Sequence, residues 1–358
     1  MVWLKKKDMV SYDSQIKKKR IALIISAVLL VALAMYGVAR GSTTMSAETL
    51  FSVLFGQGES AAETVIFNIR LPRVVTAMLV GALLAVSGAV MQCVLNNPLA
   101  SASTLGVSQG ASFGAALGII VFGGGVVNGG SANVAVEIDN PYIVTLCAFV
   151  FASLSTLVIL ALSQMKKNLG AGGLVLAGVA LSSLFTGGST LLQYFADETK
   201  LTAVVFWTFG NLGSTGWQEI LVLAIIFLIS MVYFMLNRWN YNAMRSGADT
   251  AKSLGVNARS VMLISMAICS FTAAVAVAFV GIISFIGLIA PHIMRKFVGD
   301  DYRFLIPCSA VGGALVLLAA DTLGRLIVAP VILPIGAITS FLGAPVFLML
   351  LLKGVDRG

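Results

Sequence analysis

The sequence "RLPRVVTAMLVGALLAVSGAVMQCVLNNPLASASTLGVSQGASFGAALG", Arg70 to Gly118, contains two apolar runs separated by a polar turn. An α-helix rises about 1.5 Å per residue, so roughly 20 apolar residues cross the hydrocarbon core of a bilayer. Asn96, Asn97 and Pro98 form a turn signal between the runs. The stretch therefore predicts two transmembrane helices joined by a short turn.

The whole chain has the composition of a membrane protein. It has 358 residues, of which 58% are hydrophobic and 11% are charged, whereas soluble domains contain about 25% charged residues. Its mean hydropathy is +0.98. Apolar windows between polar breaks predict an all-α polytopic membrane protein of about ten transmembrane helices, some of them short or broken. The windows are 21–39, 74–95, 104–123, 141–163, 172–194, 218–237, 260–281, 282–296, 304–320 and 338–353.

Lysine and arginine are distributed unequally between the two sides of these windows. If the N-terminus lies inside, eighteen of the 23 Lys and Arg residues fall on the inner side. The outer side keeps Arg40, Arg70, Arg73, Lys200 and Arg325. Cytoplasmic loops of membrane proteins carry such an excess of positive charge. The distribution predicts an even number of spans with both termini in the cytoplasm.

The predicted organisation is one transmembrane domain at 21–353 with short cytoplasmic ends at 1–20 and 354–358. The run 21–39 is longer than the core of a signal peptide and lacks an A-x-A site, so we expect it to be retained. The basic residues before it are interpreted as an orientation signal, and not as a nucleic-acid site. A polar cytoplasmic loop, 238–259, interrupts the domain.

This polar loop contains a near match to a nucleotide-binding motif. The segment "SGADTAKS" aligns with G-x-x-x-x-G-K-[ST] at Lys252 and Ser253, but Ser246 and Ala251 replace both glycines. Those glycines allow successive backbone N–H groups to turn toward a phosphate. We therefore expect no nucleotide, and no other cofactor, to bind to this chain.

Small residues are frequent within the predicted spans. Close backbone approach through small residues holds helices together in lipid, so we interpret most of the 36 glycines as packing residues. A passage for a bulky solute also needs small, weakly polar walls. The candidate pathway-lining residues are Ser182, Ser183, Thr186, Ser189 and Thr190.

An internal echo is consistent with a duplicated set of spans. The pattern G-x9-P-x7-G occurs at Gly88, Pro98 and Gly106 and again at Gly281, Pro291 and Gly299. In each copy we expect an apolar helix to meet a proline and to resume a few residues later. The span 282–296 is accordingly expected to be broken at Pro291.

Chemically reactive groups are scarce in the predicted spans, where Asp321 and His292 lie only near the ends. The four cysteines have no C-x-x-C spacing, so neither disulfides nor a metal site is expected. A secondary carrier with broken helices and internal repeats remains an alternative, but ion-coupled carriers usually keep a charged residue within the membrane. An intramembrane serine protease would need a serine facing a histidine, and we predict no catalytic residue.

Five ordered motifs resemble the permease subunits of ABC importers for ferric siderophores, haem and vitamin B12. They are Arg70–Gly118, "GADTAKSLGVNAR" at Gly247–Arg259, "FIGLIAPHIMRKFVGDDYR" at Phe285–Arg303, "ADTLGR" at Ala320–Arg325 and "LPIGAITSFLGAPVFLMLL" at Leu333–Leu351. The resemblance implies the type II ABC importer permease fold in a prokaryotic cell membrane, without enzymatic activity. It implies a second permease copy or a paralogue, two cytoplasmic ATPase subunits that use ATP, and an extracytoplasmic substrate-binding protein as partners.

The resemblance also implies roles for particular residues. Its ATPase-coupling residues are Gly247, Ala248, Asp249, Ala251, Leu254 and Gly255, its inner gate is Asn97 and Leu99, and its binding-protein docking residues are Arg70, Arg73 and Arg325. Many members of the family carry a glutamate before the "LP-G" segment, where this chain has Ile332. The motifs do not distinguish which metal chelate is carried.

Overall fold

A computed structural model describes residues 2–40, 60–124, 126–127, 136–137, 140–165 and 171–355. The helices are α1 Val2–Ala39, α2 Ser60–Thr64, α3 Leu71–Val94, α4 Val107–Ile120, α5 Pro141–Met165, α6 Ala171–Tyr194, α7 Glu198–Phe209, α8 Trp217–Leu236, α9 Arg238–Arg245, α10 Ala248–Ser253, α11 Ala258–Val280, α12 Ile286–Val298, α13 Tyr302–Leu326 and α14 Ile335–Val355. A π-helical turn, Val65–Arg70, precedes α3, and a 3-10 turn, Ser103–Leu105, precedes α4. Two antiparallel two-residue strands, β1 Val126–Val127 and β2 Val136–Glu137, complete these elements.

The all-α membrane fold is confirmed, whereas the count of ten spans is not. Within the described residues, seven helices are long and apolar enough to cross a membrane. The predicted windows 104–123, 282–296 and 338–353 coincide with α4, α12 and α14, which are not among these seven helices. Helix α7 was not predicted, because its sequence contains no apolar window. Its start is marked only by Asp197, which caps the helix by accepting from the Lys200 backbone N–H at 2.9 Å.

Helix α3 lies at the centre of the bundle and contacts α8, α11, α12 and α13. In its most apolar window, 83% of the residues are buried inside the chain, against 11% for α1. Helix α1 packs on α13 and leaves most of its apolar surface outward. A helix that is apolar on all sides is buried in protein or in lipid, so the difference predicts that α1 faces lipid.

Glycines allow the backbone of α3 to come into direct contact with the backbones of α12 and α13. A Cβ atom on Gly81 would collide with the carbonyl of Gly313 in α13, and one on Gly88 would collide with the carbonyl of Gly287 in α12. Close backbone contact supplies dispersion energy that apolar side chains cannot supply against lipid. The two glycine pairs therefore set the spacing of α3, α12 and α13.

The predicted break at Pro291 is wrong. Pro291 lies inside α12, and the chain is broken earlier, between Gly281 and Phe285, where both residues have a positive φ. A proline within a helix leaves the carbonyl four residues earlier without its usual donor. Here that carbonyl belongs to Gly287, and the Gln92 Nε2 of α3 donates to it at 3.4 Å. The neighbouring helix thus compensates for the proline, and the internal echo does not extend to this break.

The helices extend beyond several of the predicted windows. Helix α1 begins at Val2, so most of the basic segment 1–20 continues the first span. The helical run before α3 begins at Ser60, and α13 continues to Leu326. Asp321 therefore lies within a spanning helix, near the end of that helix, as the sequence predicted.

Candidate functional site

The polar loop 238–259 folds as α9 and α10 followed by a tight turn. Gly247 and Gly255 have φ angles of 105° and 81°, which side-chain-bearing residues rarely adopt. Ala251 is fully buried against the base of the bundle, whereas Leu254 is 68% exposed, and Asp249 is also exposed. We name residues 246–256 the insert. It presents an apolar side chain and an open glycine turn on the predicted inner face, as the surface for another protein would.

The two gate candidates, Asn97 and Leu99, lie in a compact turn between α3 and α4. The Asn97 Oδ1 accepts from the Leu99 backbone N–H at 2.9 Å, which fixes the turn, and Leu99 is 37% exposed. Asn96 has a φ of 44°, a conformation that asparagine tolerates better than most residues. Next to this turn, Ser101 and Ser103 line a cavity of about 20 Å³ together with Phe285 from the chain break.

The polar candidates on α6 form a weakly polar exposed face. Ser183 and Thr186 are exposed, Ser182 is half-buried and Ser189 is buried. The Thr186 hydroxyl donates to the Ser182 carbonyl at 2.8 Å, and the Thr190 hydroxyl to the Thr186 carbonyl at 3.0 Å. Because the hydroxyl hydrogens of Ser183, Thr186 and Thr190 are used within the helix, these positions offer oxygen atoms and small side chains to the exposed face.

A buried ionic cluster lies at the predicted outer end of α3 and α13. Asp321, 1% exposed, accepts from the Arg73 Nε and the Arg325 Nε, each at 2.9 Å. The Arg325 Nη1 also donates to the carbonyls of Gly37 and Arg40 at 2.9 and 3.0 Å. These carbonyls end α1, where a helix lacks internal donors for its last carbonyl groups. The cluster therefore ties α1 to the central helices.

Two of the three arginines that were predicted to dock the binding protein are buried in the chain. Arg70 is 5% exposed and donates to the carbonyls of Val38 and Ala39, both at 3.0 Å. Arg325 is 7% exposed. Both guanidinium groups are directed into the chain, because the end of α1 needs hydrogen-bond donors. Of the three arginines, Arg73 alone lines an open cavity at this end.

That cavity has a volume of about 450 Å³ and lies beside the chain break. Phe206, Trp207 and Phe209 of α7 supply aromatic walls, and Val280 and Gly281 contribute backbone. Ile332, the residue directly before the "LPIG" segment, also lines it. The cavity is thus mostly apolar, with the Arg73 guanidinium as its cation.

A second ionic network lies at the predicted inner end. The Arg245 Nη2 contacts the Asp300 Oδ2 at 2.8 Å, and the Arg295 Nε contacts the Asp300 Oδ1 at 3.3 Å. The neighbouring Asp301 caps α13 by accepting from the Arg303 backbone N–H at 3.1 Å. These contacts join the loop between α12 and α13 to the helix that precedes the insert.

Asp301 holds a partly buried charge in this network. Burial by itself would raise the pKa of its carboxyl group, but hydrogen bonds from Arg303 and Asn242 outweigh burial and hold the pKa below its ordinary value. The Asn242 Nδ2 donates to the Asp301 Oδ1 at 3.1 Å, and the Tyr302 backbone N–H donates to the Asn242 Oδ1 at 2.9 Å. Asn242 therefore attaches α9 directly to the start of α13.

Reactive chemistry is sparse in the part of the chain that the structure describes. Among those residues, no group of three His, Cys, Asp or Glu side chains could hold a metal ion. The cysteines at 93, 147, 269 and 308 are all free. His292 is half-buried on α12.

Known proteins show the family of the chain. The FecCD transport family matches residues 28–353. The ABC transporter permease protein MJ0087 of Methanocaldococcus jannaschii is 49% identical over 97% of this chain and 98% of its own length. The hemin transport system permease protein HmuU of Yersinia pestis is 35% identical over 94% of this chain and 96% of its own.

A solved structure of a metal-chelate type ABC transporter in an inward-facing conformation is similar with a TM-score of 0.79 and 31% identity, covering 92% of this chain and 98% of that one. The chain belongs to the FecCD transport family and has the fold of a type II ABC importer permease, in a family whose members serve metal-chelate importers.

Proposed function

We propose that this chain is the membrane subunit of an importer that moves a ferric siderophore, haem or a cobalamin-type chelate inward by ATP-driven alternating access. The observation that carries the proposal is the insert, whose exposed Leu254 and open Gly255 turn lie at the end of a bundle with no nucleotide motif of its own. Such a surface is suited to a separate ATPase. Movement of that partner would then be passed to the spans.

The assembly that we propose has two permeases around one pathway. The second permease is another copy of this chain or a paralogue, and two ATPase subunits bind the inserts from the cytoplasm. The weakly polar face of α6, with Ser183 and Thr186, lines the path, and the turn at Asn97 and Leu99 narrows its inner end. Both chain termini lie in the cytoplasm, in agreement with the charge distribution.

Docking of an extracytoplasmic binding protein is assigned to the cavity that Arg73 lines. Because Arg70 and Arg325 are buried, we propose that they shape this end of the molecule without touching the partner. Arginine pairs with a carboxylate through two parallel N–H groups, which suits recognition of an acidic side chain. Asp321 already uses the Arg73 Nε and Nη2, so the docking contact would involve the remaining Nη1.

Transport by the reconstituted complex tests the function. Proteoliposomes would contain the permease and its ATPase, with the binding protein outside, and would be offered haem, ferric citrate, a ferric hydroxamate and cobalamin in turn. We expect uptake of one chelate that depends on ATP and on the binding protein. Uptake driven by a proton gradient without the ATPase would overturn the proposal and support the secondary carrier, whose candidate carboxylate is Asp321.

The insert is tested by a pair of glycine substitutions. Gly255→Leu forces a branched side chain into a left-handed turn on the exposed surface, and we expect uptake to be lost while the protein still inserts into the membrane. Gly172→Leu is the matched control, because Gly172 is also exposed with open space around it but has no positive φ. Deleting 248–253 should likewise abolish uptake. Normal uptake by the deletion variant would refute the role of the insert.

The docking assignment is tested by charge. Arg73→Gln should weaken capture of the binding protein, and the remaining affinity should depend less on salt than that of the wild type. The control is Arg40→Gln, since Arg40 is exposed at the same predicted end but lies outside the cavity. Equal affinity of the Arg73→Gln variant and the wild type in a pull-down at two salt concentrations would refute the assignment.

A further inference from the structure

Asp300 lies between two arginines that belong to different helices. The Arg245 Nη2 contacts one carboxylate oxygen at 2.8 Å, and the Arg295 Nε contacts the other at 3.3 Å. Arg245 is the last residue of α9, directly before the insert, and Arg295 lies near the end of α12. One carboxylate therefore joins the insert to α12.

The contacts continue from Arg295 to the turn at the inner end of α3. The Arg295 Nη1 donates to the Gln92 Oε1 at 2.6 Å, and the amide group of Gln92 donates to the Gly287 carbonyl that Pro291 leaves free. Gln92 is 4% exposed and precedes Asn97 by five residues in the chain. The amide has both of its polar atoms engaged, so its position depends on α12 and on Arg295.

The two carboxylates of the α12–α13 loop have different tasks. Asp301 caps α13 and is held by Asn242 and Arg303, so it stabilises the start of that helix. The ion pairs of Asp300 instead connect separate elements. The side chains of Arg245 and Asp300 are 56% and 36% exposed. Solvent-exposed ion pairs contribute little stability, and they can separate and re-form when the elements move.

We propose that Asp300 is a positioning residue that transmits movement of the insert to the Asn97–Leu99 turn, through Arg295 and Gln92. This inference rests on the proposed function. When an ATPase displaces the insert, Arg245 moves with it and pulls the Asp300 carboxylate, which Arg295 also contacts. The resulting displacement of Arg295 changes the support of Gln92, and therefore the inner end of α3.

The test measures the turn directly and needs no identified solute. A thiol introduced by Leu99→Cys would be labelled with a water-soluble maleimide in the complex of the permease and its ATPase, with and without ATP and vanadate. The labelling rate in the wild-type background should change severalfold on trapping with vanadate. Asp300→Asn should remove this change while ATP hydrolysis continues, and Asp300→Glu should restore most of it.

Three further variants separate transmission from folding. Arg245→Gln, which removes an exposed side chain, should give the same loss, and the double variant Arg245→Gln/Asp300→Asn should lose no more than either single variant. Lys296→Gln is the control, because it removes an exposed cation adjacent to Arg295 and should leave the labelling change intact.

The outcomes distinguish this inference from the proposed function. One outcome is that vanadate changes the labelling rate in the wild-type background and changes it equally in Asp300→Asn and Arg245→Gln. The transmission role of Asp300 is then refuted, while the proposed importer function stands. If the wild-type background itself shows no change with vanadate, alternating access at this turn is refuted, and the proposed function fails with it.

Discussion

The two ionic clusters of this protein use the same residue types in opposite environments. At the predicted outer end, Asp321 and its partners Arg73 and Arg325 have side chains that are 1%, 12% and 7% exposed. At the predicted inner end, the side chains of Arg245 and Asp300 are 56% and 36% exposed. Removing one member of a buried pair leaves an uncompensated charge, whereas an exposed pair loses little. We therefore expect the outer cluster to stay closed and the inner one to rearrange during transport.

This contrast agrees with what each cluster connects. The outer arginines bond to the carbonyls that end α1, and they keep that helix attached to the central bundle. The inner pairs connect the loop between α12 and α13 to the helix that leads into the insert. A transporter that alternates between two conformations needs both a fixed joint and a movable one. Variants at each end test whether the two clusters differ in this way.

The largest effect is expected for Asp321→Asn. The variant leaves Arg73 and Arg325 buried without a counter-charge, and we expect it to lower the free energy of unfolding by about 3–5 kcal/mol. Thermal unfolding of the protein in detergent, followed by its light scattering, measures this loss. A melting temperature within one or two degrees of wild type would show that the cluster does not fasten α1.

The second effect concerns the seam that brings the outer cluster together. A Cβ at Gly313 would collide with the Gly81 carbonyl, so Gly313→Ala must separate α3 from α13 and should cost about 1–3 kcal/mol. Gly187→Ala is the matched control, since open space surrounds that position and alanine favours the helix. Equal stability of the two variants in the same unfolding assay would contradict the close approach of the helices.

A smaller effect on stability is expected for Asp300→Asn. Because the pair of Asp300 with Arg245 is exposed, the variant should lose about 1 kcal/mol or less in the unfolding assay, even though we expect it to abolish transmission to the turn. Asp321→Asn, measured in parallel, supplies the contrast. A loss as large as that of Asp321→Asn would mean that the inner network is a fixed joint as well.

The smallest effect appears only in acid. Arg303 and Asn242 hold the pKa of Asp301 below its ordinary value, so this carboxylate contributes stability above the pKa of the unfolded chain and loses it as the pH falls through the folded value. Between pH 7 and pH 3 the wild type should therefore lose more stability than Asp301→Asn. Parallel pH profiles of the two proteins would show that the carboxylate makes no net contribution.

Several expectations from the sequence agree with the structure because they depend on short stretches of chain. The windows 141–163 and 172–194 match α5 and α6 within a few residues, since a long apolar run needs only its own length and composition to form a helix in lipid. The turn at Asn97 was also predicted, because a turn signal lies within a few residues of chain. The ends of the helices around Arg73 and Asp321 were placed wrongly, because charged residues were taken as the ends of spans.

The all-α membrane class, the unequal distribution of charge and the family can be read from the linear chain, because they depend on apolar length, composition and ordered motifs. The contact of Arg73 with Asp321, 248 residues away, and the support that Gln92 gives to the carbonyl freed by Pro291 follow from the packing of the helices. Those contacts depend on how closely the helices pack. That spacing is set by backbone contact between glycines such as Gly81 and Gly313, which no local pattern of residues reveals.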